Sequence, residues 1–257
     1  MKIFQIDVFT KKIFGGNPAA VCPLDHWPDD ALLQAIAAEN NLSETAFFVP
    51  EKEYFQLRWF TPVTEVDLCG HATMASAFVI FTELDPSLSK VTFKTKSGDL
   101  FVTKETDSLK MSLPAIPATE CPTPDLLIEG LGQSPLEVHC ASNYLAVYET
   151  EDDIRNIQPD FEILKRLELH GIIVTAPGND VDFVSRFFAP KEEINEDPVT
   201  GSAHSTLTPY WAARMGKKVF QARQISKRGG DLKCELSGTR VLISGNAVKY
   251  MQGKLCF

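Results

Sequence analysis

Apolar and polar positions alternate along residues 2–9 (Lys-Ile-Phe-Gln-Ile-Asp-Val-Phe), the period-two signature of a strand. A second strand is predicted over 19–23, after the turn Gly15-Gly16-Asn17-Pro18. Residues 29–40 switch to helical spacing and open on two acids, which suit the positive end of a helix dipole. Strands follow over 43–49 and 54–60, the latter alternating as Tyr-Phe-Gln-Leu-Arg-Trp-Phe. Residues 70–84 are alanine-rich and nearly all apolar, the pattern of a buried helix. Short strands at 91–95, 100–103 and 110–112, joined by polar turns such as Ser97-Gly98-Asp99, predict a β-meander.

Pro114, Pro117, Pro122 and Pro124 then punctuate the chain. They mark a boundary between an N-terminal lobe, 1–115, and a C-terminal lobe, 116–246, with the last strand, 247–257, able to rejoin the first lobe. The second half repeats the style of the first. Strands are predicted over 136–140, 145–148, 171–176, 181–188, 224–228, 232–236, 240–245 and 247–252. A short helix is predicted over 160–167, and a long one over 202–215, interrupted or kinked by Pro209. Each half thus offers strands plus one long apolar helix, an α+β pattern.

The halves also resemble each other in sequence. Arg58-Trp-Phe-Thr-Pro62 matches Arg186-Phe-Phe-Ala-Pro190 at an offset of 128. Glu65-Val-Asp-Leu-Cys69-Gly-His-Ala72 matches Glu196-Asp-Pro-Val-Thr200-Gly-Ser-Ala203 at an offset of 131, so about three residues are inserted near 191–194. Two ordered blocks at nearly one offset point to a duplicated lobe. Each copy runs strand, loop, then glycine at the start of a helix. Gly70 and Gly201 let the backbone approach a ligand closely. The unpaired amides and dipole of a helix N-terminus favour an anion there, with a carboxylate as the obvious guest.

Composition narrows the function classes. A net charge of −9 and a pI near 5.1 argue against a nucleic-acid binder, which needs a basic face. No apolar run approaches the roughly 20 residues of a membrane helix. No signal-peptide pattern opens the sequence. The six cysteines are scattered and form no Cys-x-x-Cys pair, so a reduced, cytoplasmic protein is expected. Neither a Gly-x-Gly-x-x-Gly nor a P-loop pattern occurs, which leaves nucleotide cofactors without support.

Several residues carry chemistry. Glu44, in Leu42-Ser-Glu-Thr-Ala-Phe-Phe48, is either a strand-edge acid facing water or a partly buried acid suited to general acid/base work. His71 opens the first long helix, where the dipole favours a neutral imidazole; it is a ligand-facing group or a capping and packing histidine. Glu196 and Asp197 precede the second glycine, and Ser202 holds the place of His71 in the other copy. A serine hydrolase is disfavoured, because Thr-Gly-Ser-Ala-His lacks the second glycine of a nucleophile elbow. A thiol hydrolase is disfavoured because Cys69 and His71 are expected to point apart. A metal site from His71, Asp197 and His204 lacks any supporting spacing.

Taken together, Asp7-Val-Phe9, Gly16-Asn-Pro-Ala-Ala-Val21, Ser43-Glu44-Thr45 and the two repeat blocks resemble the PhzF-type phenazine biosynthesis proteins. Gly245-Asn-Ala-Val and Gly253-Lys-Leu fit the close of the same pattern, so the resemblance spans nearly the whole chain. It implies the diaminopimelate epimerase-like fold: two pseudo-symmetric lobes, each a curled, mostly antiparallel sheet around a central helix, with the site in the cleft. Epimerases of that fold use two cysteines, at the places of Cys69 and Thr200. A threonine hydroxyl is too weakly acidic for that role, so two-base racemisation is disfavoured. The resemblance instead implies one glutamate, Glu44, as acid/base, with His71, Asp197 and Ser202 as the other catalytic positions. Cys69, Gly70, Thr73, Thr200, Gly201 and Ala203 are the expected substrate-binding positions. The implied chemistry is cofactor- and metal-free isomerisation of a small cyclic amino-carboxylate, a dihydro-hydroxyanthranilate in the phenazine pathway, by a homodimer. A two-base or thiol-dependent epimerase, or a non-catalytic binding protein, are the alternatives.

Overall fold

The computed structural model describes residues 1–256. Phe257, the last position of the expected closing strand, lies outside the described residues. In chain order the elements are β1 (Lys2–Val8), β2 (Asn17–Pro23), α1 (Asp30–Asn40), β3 (Glu44–Pro50), β4 (Phe55–Phe60), β5 (Glu65–Val66) and α2 (Gly70–Val79), then β6 (Lys90–Thr95), β7 (Gly98–Lys104) and β8 (Leu109–Pro114). They continue with β9 (Thr119–Glu120), α3 (Asp125–Leu131), β10 (Glu137–Cys140), β11 (Tyr144–Val147), α4 (Glu151–Asn156), α5 (Phe161–Leu164), β12 (Ile172–Pro177), β13 (Phe183–Ala189) and β14 (Ile194–Asp197). Last come α6 (His204–Met215), β15 (Val219–Gln224), β16 (Gly230–Ser237), β17 (Arg240–Gly245) and β18 (Ala247–Lys254). Among the described residues, no helix is long and apolar enough to cross a membrane.

The chain divides into two compact units, Met1–Ser112 with Ile243–Phe257, and Leu113–Leu242. In the first unit, β1 pairs antiparallel with both β2 and β18, and β2 runs parallel to β3. β3 is antiparallel to β4, β4 is antiparallel to β5 and parallel to β6, and β6 is antiparallel to β7. The second unit repeats this order. β10 is antiparallel to β11, β11 parallel to β12, and β12 antiparallel to β13. β13 is antiparallel to β14 and parallel to β15, and β15 is antiparallel to β16. Each unit is therefore a mostly antiparallel α+β arrangement, and the internal repeat seen in the sequence is a repeat of topology.

α2 is the central helix of the first unit. It packs against β1, β2, β3, β7 and β18. Small residues let it lie that deep: Ala72, Met74, Ala75, Ala77 and Val79 are fully buried. Its buried hydroxyls are satisfied locally, Thr73 Oγ1 donating to Cys69 O at 2.6 Å and Ser76 Oγ to Ala72 O at 2.8 Å. The expected helix over 70–84 does not stay α-helical, since Ile80–Leu84 widens into a π turn.

α6 takes the corresponding place in the second unit and packs on β16. It starts at His204 rather than 202, because residues 201–203 form turns closed by i→i+3 bonds such as His204 N to Gly201 O, 3.1 Å. Pro209 does not interrupt it. Proline lacks the N–H that would bond Ser205 O, and the Ile116 amide donates to that carbonyl instead, at 2.9 Å. Trp211, on the buried face, stacks on Phe183 at 5.7 Å and donates Nε1–H to Thr175 Oγ1 at 3.1 Å.

Three other differences have physical causes. The strand expected over 224–228 lies earlier, at Val219–Gln224, and the chain turns at Gly229, whose φ is +65°. α3 and α4 have no counterpart in the sequence-based expectation; both hold fewer than two full turns, too short to show a period, though Thr150 and Asp153 form a capping box on α4. Within the insertion near 191–194, Pro190–Glu192 is a 3-10 turn followed by Glu193 at φ +61°.

Candidate active site

The repeat blocks are held in place by one device used twice. On β4, Arg58 grips Glu65 with two parallel bonds, Nε to Oε1 at 2.8 Å and Nη2 to Oε2 at 2.9 Å. On β13, Arg186 grips Glu196 the same way, at 2.7 and 3.1 Å. Such forked pairs fix both partners in a plane. The Arg58 guanidinium beside Glu65 holds that carboxyl below the usual carboxylate range. Each pair anchors the loop that leads to the glycine and the helix behind it.

In the first unit the parallel strands β2 and β3 begin at the same end, with Ala19 opposite Glu44. The start of α2 arrives there too. Gly16 makes the approach possible: at φ +61°, a Cβ would stand 2.0 Å from Val8 O. Asn17, Ser43, Glu44, Cys69 and His71 are thereby gathered. Glu44 is not the water-facing strand-edge acid; its side chain is 13% exposed and Oε2 lies 3.3 Å from His71 Nε2. Nor do Cys69 and His71 point apart. Cys69 Sγ lies 3.5 Å from His71 Nδ1, because the extended backbone of Cys69 before the first helical residue turns the thiol back over the ring. The buried amide of Asn17 completes the ring's surroundings, with Nδ2 3.2 Å from His71 Nδ1.

The second unit builds its segment differently. Thr200 Oγ1 donates a short hydrogen bond to Asp197 Oδ2. Thr200 N–H donates to Gln224 Oε1 at 2.8 Å, while Gln224 Nε2 donates to Asp197 O at 2.7 Å. The ring of His204 meets Thr200 O through Nδ1 at 2.9 Å. Gln224 and His204 are fully buried. Burial pushes the His204 imidazole down to about 4, so it stays neutral and donates from Nδ1. Gly201 and Ala203 are buried, and Ser202 is exposed.

Glu44, Cys69 and His71 offer ligand atoms within 4.8 Å of one another, a sulfur, nitrogen and oxygen set that zinc accepts. The imidazole, however, stands between the other two, with the thiol at Nδ1 and the carboxylate at Nε2. One ion can take only one of those nitrogens, so the arrangement as it stands is not a chelate. In the set His71, Asp197 and His204, the last two already serve Thr200.

The other cysteines differ in burial. Cys22 and Cys234 are fully buried and burial pushes both thiols up to about 12. Cys121 and Cys140 are half-buried and Cys256 is exposed. Asn17, Ser43 and Gln224 were not among the expected site residues. Asn17 and Ser43 lay inside the motifs, whereas Gln224 sits in a plain strand with no local pattern.

Residues 6–253 match the sequence pattern of the phenazine biosynthesis-like protein family. The chain belongs to this family. It is 52% identical over 255 residues to an uncharacterized isomerase of Pseudomonas aeruginosa, covering 99% of this chain and 98% of that one. A PhzF-family protein from Enterococcus faecalis, known by crystal structure, superposes with a TM-score of 0.98 at 44% identity, covering 100% of this chain and 99% of that one. The diaminopimelate epimerase-like architecture reaches further: a probable proline racemase from Agrobacterium radiobacter shares the fold at a TM-score of 0.68 and 10% identity, covering 99% and 92% of the two chains.

Proposed function

We propose that this PhzF-family protein is an isomerase that moves a proton on a small cyclic amino-carboxylate, with Glu44 as the single acid/base. The observation that carries the reading is the placement of Glu44: a largely buried carboxylate whose Oε2 sits 3.3 Å from a histidine nitrogen, at the start of a buried helix. A carboxylate so placed is a competent base for a C–H proton. The relative of Pseudomonas aeruginosa named as an isomerase supports the reaction class.

In this reading the Glu44 carboxylate takes a proton from one substrate carbon. The resulting carboxylic acid returns it to another carbon on the same face, so the reaction is balanced without metal or cofactor. The amide of Gly70 and, in the second unit, that of Gly201 with the neighbouring Ala203 are the proposed anion-holding groups; Thr73, whose amide and hydroxyl are both given to Cys69 O, supports the start of α2. His71 is the proposed group that holds and polarises the substrate's polar substituents in the first unit, and Asp197 and Ser202 are its proposed counterparts in the second. Cys69 and Thr200 line the site without exchanging the proton. Thr200 suits a structural part, because its hydroxyl is already donated to Asp197.

The test is incorporation of solvent deuterium into a panel of cyclic amino-carboxylates, dihydro-hydroxyanthranilates first. Glu44→Gln keeps the shape and removes the base, and lowers the exchange rate by about 10³-fold. Full-rate exchange by the folded variant would refute the reading.

A further inference from the structure

Asn17 belongs to the Gly-Asn-Pro motif, is fully buried, and has no part in the proton transfer just described. Its amide lies between two groups of the half-site. Ser43 Oγ is 3.4 Å from Asn17 Oδ1, and Asn17 Nδ2 is 3.2 Å from His71 Nδ1. A hydroxyl donating to Oδ1 leaves the NH₂ pointing at the histidine. A ring nitrogen that receives an N–H is an acceptor, so the proton of the neutral ring sits on the other nitrogen. The Cys69 thiol lies 3.5 Å from the same Nδ1. On the far side, Nε2 faces Glu44 Oε2 at 3.3 Å and Ser43 Oγ at 3.5 Å, both able to accept its N–H, Ser43 because its own proton goes to Asn17 Oδ1. Both sides of the ring therefore demand the same tautomer. The opposite one would set Nδ1–H against an N–H and the Nε2 lone pair against a carboxylate.

We infer that Asn17 is a positioning residue that fixes His71 as the Nε2–H tautomer, so that His71 donates to Glu44. The chain Ser43 to Asn17 to His71 to Glu44 then closes on itself, because Ser43 and Glu44 are neighbours. Its effect is to hold the Glu44 carboxylate in one orientation with a neutral donor. The inference rests on Glu44 being the acid/base, and it explains why an asparagine, with a donor and an acceptor on one short side chain, occupies this buried position. Aspartate would accept on both sides, and leucine on neither.

The test is two-bond ¹H–¹⁵N correlation of the full ¹⁵N-labelled chain, which reports which nitrogen of each imidazole carries the proton. The chain has five histidines, and His71→Gln assigns the signals of interest. Titrating the same signals locates the neutral form. The wild-type protein is expected to show His71 protonated on Nε2. Asn17→Asp, nearly isosteric, moves the proton to Nδ1, and Asn17→Leu lowers the Nε2–H population. In the deuterium-exchange assay Asn17→Asp lowers kcat by about 100-fold with KM changed less than about threefold. A wild-type ring protonated on Nδ1 in its neutral form, or one that still carries both protons at neutral pH, overturns the inference, even if neither variant folds. So does an Nε2–H population, or a kcat, that folded Asn17→Asp and Asn17→Leu leave unchanged. Full exchange by Glu44→Gln refutes the underlying role of Glu44 while leaving the spectra to stand, which separates the two failures.

Discussion

The two glycine-centred segments share a backbone plan and differ in what surrounds it. Around Gly70 the side chains are titratable and meet one another: Glu44, Cys69 and the two nitrogens of His71. Around Gly201 they are spent on holding the chain. The Thr200 amide, carbonyl and hydroxyl each have a buried partner, in Gln224, His204 and Asp197. Duplication supplied two equivalent helix entrances. The first gathers titratable side chains, and the second is held by buried hydrogen bonds. At the first entrance the Glu44 carboxylate meets a histidine nitrogen, Oε2 lying 3.3 Å from His71 Nε2. A platform is better served by saturated hydrogen bonding, which costs little flexibility and leaves few groups to titrate.

The comparison can be broken first at the twin ion pairs. Arg186 is the more committed of the two, since it also donates to Ile154 O at 3.1 Å and Ile157 O at 2.8 Å. Arg58 instead adds Asp30, whose side chain is 72% exposed. Arg186→Met is expected to cost about 4 kcal/mol in urea unfolding and Arg58→Met about half that, because the first also strands two carbonyls, whereas Glu65 keeps Lys96 as a partner. Equal losses would show the two anchors to be energetically alike. The Arg58–Glu65 pair also carries a pH signature. The folded Glu65 is held below its unfolded value, so its contribution is present above the ordinary carboxylate range and fades as pH falls through it.

A second break comes from acid. The folded His204 titrates near 4, and an unfolded histidine near 6.5. The unfolded chain therefore binds the proton first. Stability is full above about pH 6.5 and declines as pH falls toward 4, by roughly 3 kcal/mol for this group. His204→Gln is expected to flatten that part of the stability–pH curve while costing stability at pH 7. An unchanged slope between pH 6.5 and 4 would remove His204 from the account.

The smallest effect sharpens the platform itself. Thr200→Val removes the hydroxyl between Asp197 and Gln224 and leaves Asp197 short of one donor, a loss of about 1–2 kcal/mol. Thr200→Ser keeps the donor and is expected to stay within about 0.5 kcal/mol of wild type. If Val and Ser behave alike in unfolding, the hydroxyl is not holding the carboxylate.

Much of this was legible in the sequence, for reasons that differ by element. The repeat could be read because Arg58, Glu65, Arg186 and Glu196 are the anchors themselves, and an anchor pair tolerates few residue types. The long buried helices showed through their apolar runs. Short helices such as Asp125–Leu131 did not, since seven residues hold barely two turns. The start of α6 was misplaced by two residues because turns closed by i→i+3 bonds look helical in composition. Side-chain direction was the true blind spot. That the Cys69 thiol folds back over His71, and that Glu44 is mostly buried, follow from where β2, β3 and α2 meet, which no local pattern encodes. Gln224 was invisible for the same reason: it acts across 24 positions of chain on Thr200.

The central claim is that the proton is moved beside the first of the two glycine-centred segments, and that Glu44, on β3, rather than Cys69 moves it. It is tested most directly by measuring solvent-deuterium incorporation for Glu44→Gln and Cys69→Ser in the same assay, with folding of both checked by unfolding curves. The account predicts that Glu44→Gln loses about 10³-fold while Cys69→Ser loses less than about tenfold. A Cys69→Ser variant that loses exchange while Glu44→Gln retains it would contradict the account and return the site to thiol chemistry.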